Sequence, residues 1–178
     1  MIVIKSIIIK NNYSLIEAMM HALQKSEQEM NSMSAEWKSI NANYMSHLIN
    51  CQDENNGTCL VAYENSEALG FMFAYTEEQD ESRMEKYEGE ELYVSEGFIY
   101  PAYRRLGIYK QLNDTMEAHY IAKRIRRITR FTLFSNTRMQ KFLEKNGYQA
   151  TRILYEKWLD ESGENVLDIG LKNQMING

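Results

Sequence analysis

Three cations cluster around one glycine in the run Arg104-Arg105-Leu106-Gly107-Ile108-Tyr109-Lys110. The chemistry open to such a run is the holding of a phosphate. The first N–H groups of a helix have no partner inside it and carry partial positive charge, so an anion placed there accepts several of them at once. Gly107 would let the backbone come close to that anion, and Arg104, Arg105 and Lys110 would add full charges around it. A second residue capable of chemistry is Glu96, just upstream. A carboxylate there could act as general base toward an incoming ammonium, directly or through water, or it could be an outward-facing surface group. Strand alternation leaves its face open, because Gly97 could mark a bulge.

The elements that would position these residues can be read from the flanks. Leu92, Tyr93 and Val94, then Phe98, Ile99 and Tyr100, are the aromatic and β-branched residues of a strand. Pro101 stops the ladder because it has no N–H to donate. From Ile108 the period becomes helical, with Ile108, Leu112 and Met116 on one side. The order is strand, basic turn, helix. Around it the sequence predicts a strand at 2–9, a helix over 14–26 opened by the capping box Ser14-x-x-Glu17, and a second helix capped by Ser34 with Trp37, Ile40, Tyr44 and Leu48 on one stripe. Strands are predicted at 59–63 and 69–75, with a turn between them. The central helix is expected to run from Ile108 to about Arg127. Strand 128–134, helix 137–145 with Gly147 as its C′ glycine, and strands 150–158 and 166–171 complete the reading.

Composition narrows the class. The 178 residues carry a net charge of −5 and are 44% hydrophobic, which predicts one domain over 1–178 with a sizeable core and makes nucleic acid a poor partner. Cys51 and Cys59 form no framework, and His21, His47 and His119 lack ligand spacing, so no metal is expected. No run approaches the roughly 20 apolar residues of a membrane span. The expectation is a soluble, cytoplasmic protein with no membrane partner.

Two further charge features have competing readings. Glu77–Glu91 carries eight carboxylates against Arg83 and Lys86, either to draw in a cationic amine or as a solvated loop. Lys123, Arg124, Arg126, Arg127 and Arg130 either meet a phosphate or RNA, or complement the carboxyl end of a helix.

Ile99-x-Pro101-x-Tyr103-Arg104-Arg105-x-Gly107-Ile108 resembles the pyrophosphate loop of the GNAT superfamily of acyl-CoA N-acyltransferases. The family pattern is Gln/Arg-x-x-Gly-x-Gly/Ala, and here Tyr109 stands at the last small position. A second block, Asn136-x-x-Met139-x-x-Phe142-Leu143-Glu144-Lys145-x-Gly147-Tyr148, is similar to that family's Asn-x-x-Ala-x-x-Leu-Tyr-Glu-Lys-x-Gly-Phe segment. The resemblance implies an α/β (α+β) fold with a mixed, mostly antiparallel sheet of about six to seven strands, a parallel splayed pair and about four helices. It implies acetyl-CoA as substrate: backbone near Gly97, Phe98 and Ile99 against pantetheine, Arg104 and Arg105–Lys110 (with Leu106, Gly107, Ile108 and Tyr109) around the pyrophosphate, and Asn136 facing the cofactor. The implied reaction is direct attack of a primary amine on the thioester, with no metal and no acyl-enzyme. An aminoglycoside-like compound or polyamine is the expected acceptor. A peptide or protein amine and a non-catalytic acyl-CoA-binding module are the alternatives, and a homodimer stays open. The family's proton-donating tyrosine falls at Leu143 here, and bases seen in some members fall at Phe131 and Tyr93, so Glu96 is the candidate that this sequence offers.

Overall fold

The structure is a computed structural model, and it describes residues 1–78, 89–157 and 159. The chain forms two compact units, Met1–Asn136 and Thr137–Gly178. In the first, the strands are β1 (Val3–Ile7), β2 (Thr58–Glu64), β3 (Glu67–Glu77), β4 (Glu91–Ile99) and β5 (Ile128–Thr129), and the helices are α1 (Tyr13–Gln28), α2 (Trp37–Glu54) and α3 (Ile108–Ala122). The strands lie in the order β1-β2-β3-β4-β5. The first four are antiparallel, and β5 runs parallel to β4.

β3 is the middle of the sheet, and its run Leu69–Thr76 is buried throughout, as a strand covered on both faces must be. On one face Phe71, Phe73, Tyr75 and Phe98 pack with Ile16, Met19, Trp37, Met45 and Leu48 of α1 and α2. On the other, Met72, Ala74, Leu92, Val94 and Ile99 pack with Ile108, Leu112, Met116 and Tyr120 of α3. Tyr120 is fully buried and its hydroxyl has polar company: it lies 2.6 Å from the Asn56 carbonyl, to which it donates, and 3.0 Å from Thr58 Oγ1. This ties α3 to the edge of β2.

Several expectations change in detail. The box at Ser14 and Glu17 does not form: helix α1 starts at Tyr13 after Asn12, and Glu17 instead accepts from Trp37 Nε1 at 2.8 Å. α2 begins at Trp37, after Glu36 rather than Ser34. α3 stops at Ala122, five residues short of the predicted end. Arg124 takes a left-handed conformation (φ 69°), Ile125 N–H bonds the Tyr120 carbonyl and Arg124 N–H the Ile121 carbonyl. That is a Schellman cap built without glycine. β5 is two residues long instead of seven, and residues 150–157 hold no strand. Among the described residues the sheet therefore has five strands, not six or seven. The expected strand 166–171, and residues 79–88 of the acidic loop, lie outside the described residues.

The second unit contains α4 (Thr137–Lys145). It ends as predicted: Gly147 sits at φ 88°, Tyr148 N–H bonds the Leu143 carbonyl at 3.0 Å and Gly147 N–H the Glu144 carbonyl at 3.1 Å.

Candidate active site

The site begins where the parallel pair parts. β4 and β5 are in register at Leu92–Ile128 and Tyr93–Thr129 only. Just beyond that point β4 contains a bulge. Phe73 of β3 faces Glu96 and Ala74 faces Val94, so Ser95 is the extra residue. The bulge lies at Ser95, not at Gly97 as the sequence had suggested. It resets the alternation. Leu92 and Val94 face α3, Tyr93 faces the α1–α2 layer, and past Ser95 the α1–α2 face belongs to Glu96 and Phe98. The Ser95 hydroxyl is buried and has no hydrogen-bond partner among the described residues.

Glu96 is thereby turned inward. It is 9% exposed, and its Oε1 accepts a hydrogen bond from the Tyr44 hydroxyl of α2. Burial pushes the carboxyl up to about 8, with Glu27 of α1 adding to the rise and the Tyr44 hydrogen bond opposing it. A surface glutamate is excluded. Tyr93 beside it is pushed up to about 12, by burial first and then by Glu96, Glu77 and Glu27. Its ring packs edge-on against Tyr75 (5.5 Å) and Phe131 (5.6 Å).

Gly97 faces the other way, toward α3. A Cβ there would lie 2.6 Å from the Tyr109 hydroxyl and 2.8 Å from its Cε2, so the missing side chain is the space the Tyr109 ring occupies. Arg130, just past β5, donates to the Tyr109 hydroxyl at 3.4 Å and through its other terminal nitrogen to Asn113 Oδ1. Tyr109, at the position where the motif has a small residue, thus bridges from α3 to both parting strands.

The basic turn follows. Gly107 is left-handed (φ 76°) and a Cβ on it would meet nothing within 4 Å. The protein's own atoms leave room for a side chain, and the left-handed conformation is what favours glycine there. Arg105 is likewise left-handed (φ 69°) and exposed. The first intrahelical bond of α3 runs from Gln111 N–H to the Gly107 carbonyl (3.1 Å), so the N–H groups of the first turn point out of the helix end. The other cations are used differently. Arg104 folds back, its Nε donating to the Ile99 carbonyl at 3.0 Å and its guanidinium lying over the Phe98 ring. Lys110 is held by Asp114 one turn on, at 2.6 Å. Leu106 is exposed, whereas Ile108, Phe98 and Ile99 are buried, so those three offer only backbone to a ligand. Asn136 closes a turn, its N–H on the Leu133 carbonyl at 2.9 Å.

The basic run after α3 behaves structurally. Arg126 donates to the Ile121 and Ile125 carbonyls at the helix end, and Arg127 pairs with buried Glu91 at 3.2 Å. Glu91 therefore belongs to the frame rather than to the acidic rim. Glu77 and Glu78 do line a surface: with His47, Cys51, Glu54 and Tyr75 they edge an open depression of about 550 Å³. Among the described residues no group of three His, Cys, Asp or Glu side chains could hold a metal, and no helix is long and apolar enough to cross a membrane.

Sequence reasoning missed Tyr44, Glu27 and Asn113. Tyr44 carried a signal, since a tyrosine on a buried helical stripe needs a partner for its hydroxyl.

The parted parallel strands, the bulge ahead of them and the bare helix end after a left-handed glycine define an acyl-CoA transferase fold. The model of the GNAT acetyltransferase family matches residues 16–148, and the chain belongs to that family. Members of this family use acetyl-CoA. No curated protein matches the sequence. Among solved structures, a mutant of the BH1408 protein from Bacillus halodurans superposes with a TM-score of 0.74 at 14% identity, covering 89% of this chain and 99% of that one. An aminoglycoside acetyltransferase from an uncultured soil metagenomic sample, in complex with sisomicin, gives 0.62 at 17% identity over 89% and 95%. AAC(6')-Iy, in complex with the bisubstrate analog CoA-S-monomethyl-acetylneamine, gives 0.64 at 15% identity over 90% and 99%. At these identities the likeness shows the fold.

Proposed function

We propose that this chain is an acetyl-CoA-dependent N-acetyltransferase that moves an acetyl group directly to a primary amine of a small cationic acceptor. The observation that carries the reading is Glu96: a buried carboxyl, held near pH 8, on the strand that borders the parted pair. A base poised near neutrality is what deprotonating an ammonium requires. The carboxylates of Glu54, Glu77 and Glu78 around the depression support a cationic acceptor, as do the aminoglycosides bound by structures of the same fold.

The residues present fit acetyl-CoA. The α3 end with Gly107 and exposed Arg105 would hold the pyrophosphate, and β4 backbone beyond Tyr93 would face pantetheine. The bound thioester supplies the acetyl group and a good leaving thiol. Glu96 takes the proton that the attacking ammonium must lose, and a β4 backbone N–H near the bulge stabilises the developing oxyanion.

Two results are expected. Gly107→Ala should lower the melting temperature by about 2–8 °C, because a non-glycine residue costs about 1–2 kcal/mol in the left-handed region, and should raise the Kd for CoA about tenfold, because its Cβ would stand where the pyrophosphate comes close to the backbone. Unchanged affinity by calorimetry would remove the pyrophosphate from this turn. With acetyl-CoA and a panel of aminoglycosides, polyamines and peptide amines, free thiol release should be fastest for the polycations. Acceptor KM should rise with salt, since exposed charges are screened beyond about 8–10 Å. Glu54→Gln with Glu77→Gln should raise acceptor KM at unchanged kcat. Binding of acetyl-CoA with no turnover of any amine would make the chain an acyl-CoA-binding module.

A further inference from the structure

We propose that Tyr44 carries the proton from the acceptor ammonium to Glu96, so that the working base is a hydroxyl–carboxyl pair drawn from α2 and β4. The inference rests on the reading of Glu96 as base. Its starting point is access. The Glu96 side chain is buried against the α1–α2 layer, and among the described residues its only hydrogen-bond partner is the Tyr44 hydroxyl. Tyr44 is half-buried, and its ring packs beside the exposed His47. It meets the His47 ring edge-on at 6.1 Å, and His47 meets Tyr75 at 6.1 Å. His47 and Tyr75 line the acidic depression. Tyr44 thus joins the buried carboxyl, through its hydroxyl, to His47 of the surface that suits a cationic acceptor, through its ring.

The step balances without any co-reactant. The ammonium N–H donates to Tyr44 Oη while the Tyr44 proton passes to Glu96 Oε1. The ammonium becomes a neutral amine, the carboxylate becomes a carboxylic acid, and Tyr44 ends with the proton it received. Tyr44 need never ionise, and its environment resists it: burial first, then the charge and hydrogen bond of Glu96, push its hydroxyl far above the usual tyrosine range. The groups that bear on Glu96 are Tyr44 from α2, Glu27 from α1, Tyr93 from β4 and Tyr109 from α3. Of these, Tyr44 is the one whose hydrogen bond favours the carboxylate, and Glu27 opposes it.

The test pairs a direct titration with kinetics. The Glu96 carboxyl carbon is followed by NMR against pH in 13C-glutamate-labelled wild type and Tyr44→Phe, assigned by its loss in Glu96→Gln. With the hydroxyl gone, the titration should move upward from its wild-type position near 8. At saturating acetyl-CoA, Tyr44→Phe should lower kcat by roughly 10²-fold near neutral pH, move the rising limb of the pH profile to higher pH, and leave acetyl-CoA affinity unchanged. The double variant with Glu96→Gln should be no slower than Glu96→Gln alone. Wild-type kcat and an unmoved pH limb in Tyr44→Phe would overturn the relay and leave Glu96 acting directly. A wild-type Glu96 that titrates in the ordinary carboxylate range overturns the pair whether or not Tyr44→Phe folds. A wild type that binds acetyl-CoA but turns over no amine overturns the transferase reading and the relay with it.

Discussion

Glu96→Gln is expected to lower kcat on amine acceptors by about 10²–10³-fold near neutral pH and, in the same protein, to raise stability at alkaline pH. The two effects have one cause. A carboxyl that titrates near 8 when folded, against a usual 4.5, stays neutral in the native state over a range in which the unfolded chain has already released its proton. The sign follows from that. The unfolded state binds fewer protons between those limits, so stability is full below about pH 4.5, falls as pH rises, and has lost its whole share once the folded carboxyl ionises above about 8. The loss is on the order of 5 kcal/mol. Glutamine has no such proton to lose, so the variant should lack this slope. Its kinetic deficit should shrink at high pH, where the acceptor amine deprotonates unaided. Urea unfolding of both proteins at pH 5, 7 and 9 reads the first effect, and thiol release the second. Parallel stability curves would mean that Glu96 ionises normally and is not the buried base.

The second large effect concerns the frame. Gly70 lies in β3 opposite Ile99, and a Cβ there would come 2.3 Å from the Phe98 carbonyl oxygen and 2.9 Å from the Ile99 Cα. These are backbone atoms of β4 and cannot swing aside. Gly70→Ala should force β3 and β4 apart and cost about 3 kcal/mol, roughly 6–12 °C in melting temperature for a chain of this size. Gly107→Ala, with open space at its Cβ and only the left-handed conformation to cost it about 1–2 kcal/mol, is the comparison and should lose less. Equal melting temperatures for the two variants would show that the pair yields easily there.

The strand, the basic turn and the helix were legible because they are local. Periodicity changes at Pro101, Gly107 marks a left-handed position, and Gly147 closes α4. What the sequence did not carry is non-local or breaks a local rule. Arg124 ends α3 in a conformation usually taken by glycine, so the helix seemed to run on to Arg127. Residues 128–134 have strand composition, but among the described residues only Ile128 and Thr129 join the ladder with β4, because β4 and β5 part after Tyr93. The role of Glu96 hung on a one-residue bulge whose position composition does not mark. Tyr44, its partner, lies 52 positions away in sequence. The basic turn could be read in advance, while the hydrogen-bonded pair on the far side of the strand could not.

The bulge at Ser95 also bears on how this chain can change over evolutionary time. A strand has only two phases, and one unpaired residue is what lets its two halves obey different ones. Loss of Ser95 itself would join Val94 to Glu96 opposite Ala74 and Phe73, an unbroken ladder in which both halves of β4 face as they do now, whereas pairing Ser95 opposite Phe73 would shift one half by one phase. With the Leu92–Val94 half kept in place, that slip would send the carboxylate of Glu96 into the apolar layer of Leu112 and Met116, and bring Gly97 round to face Tyr44. Point substitutions can tune this strand gradually. A one-residue slip inverts it in one step, so what the strand must keep is Glu96, and not Ser95, opposite Phe73.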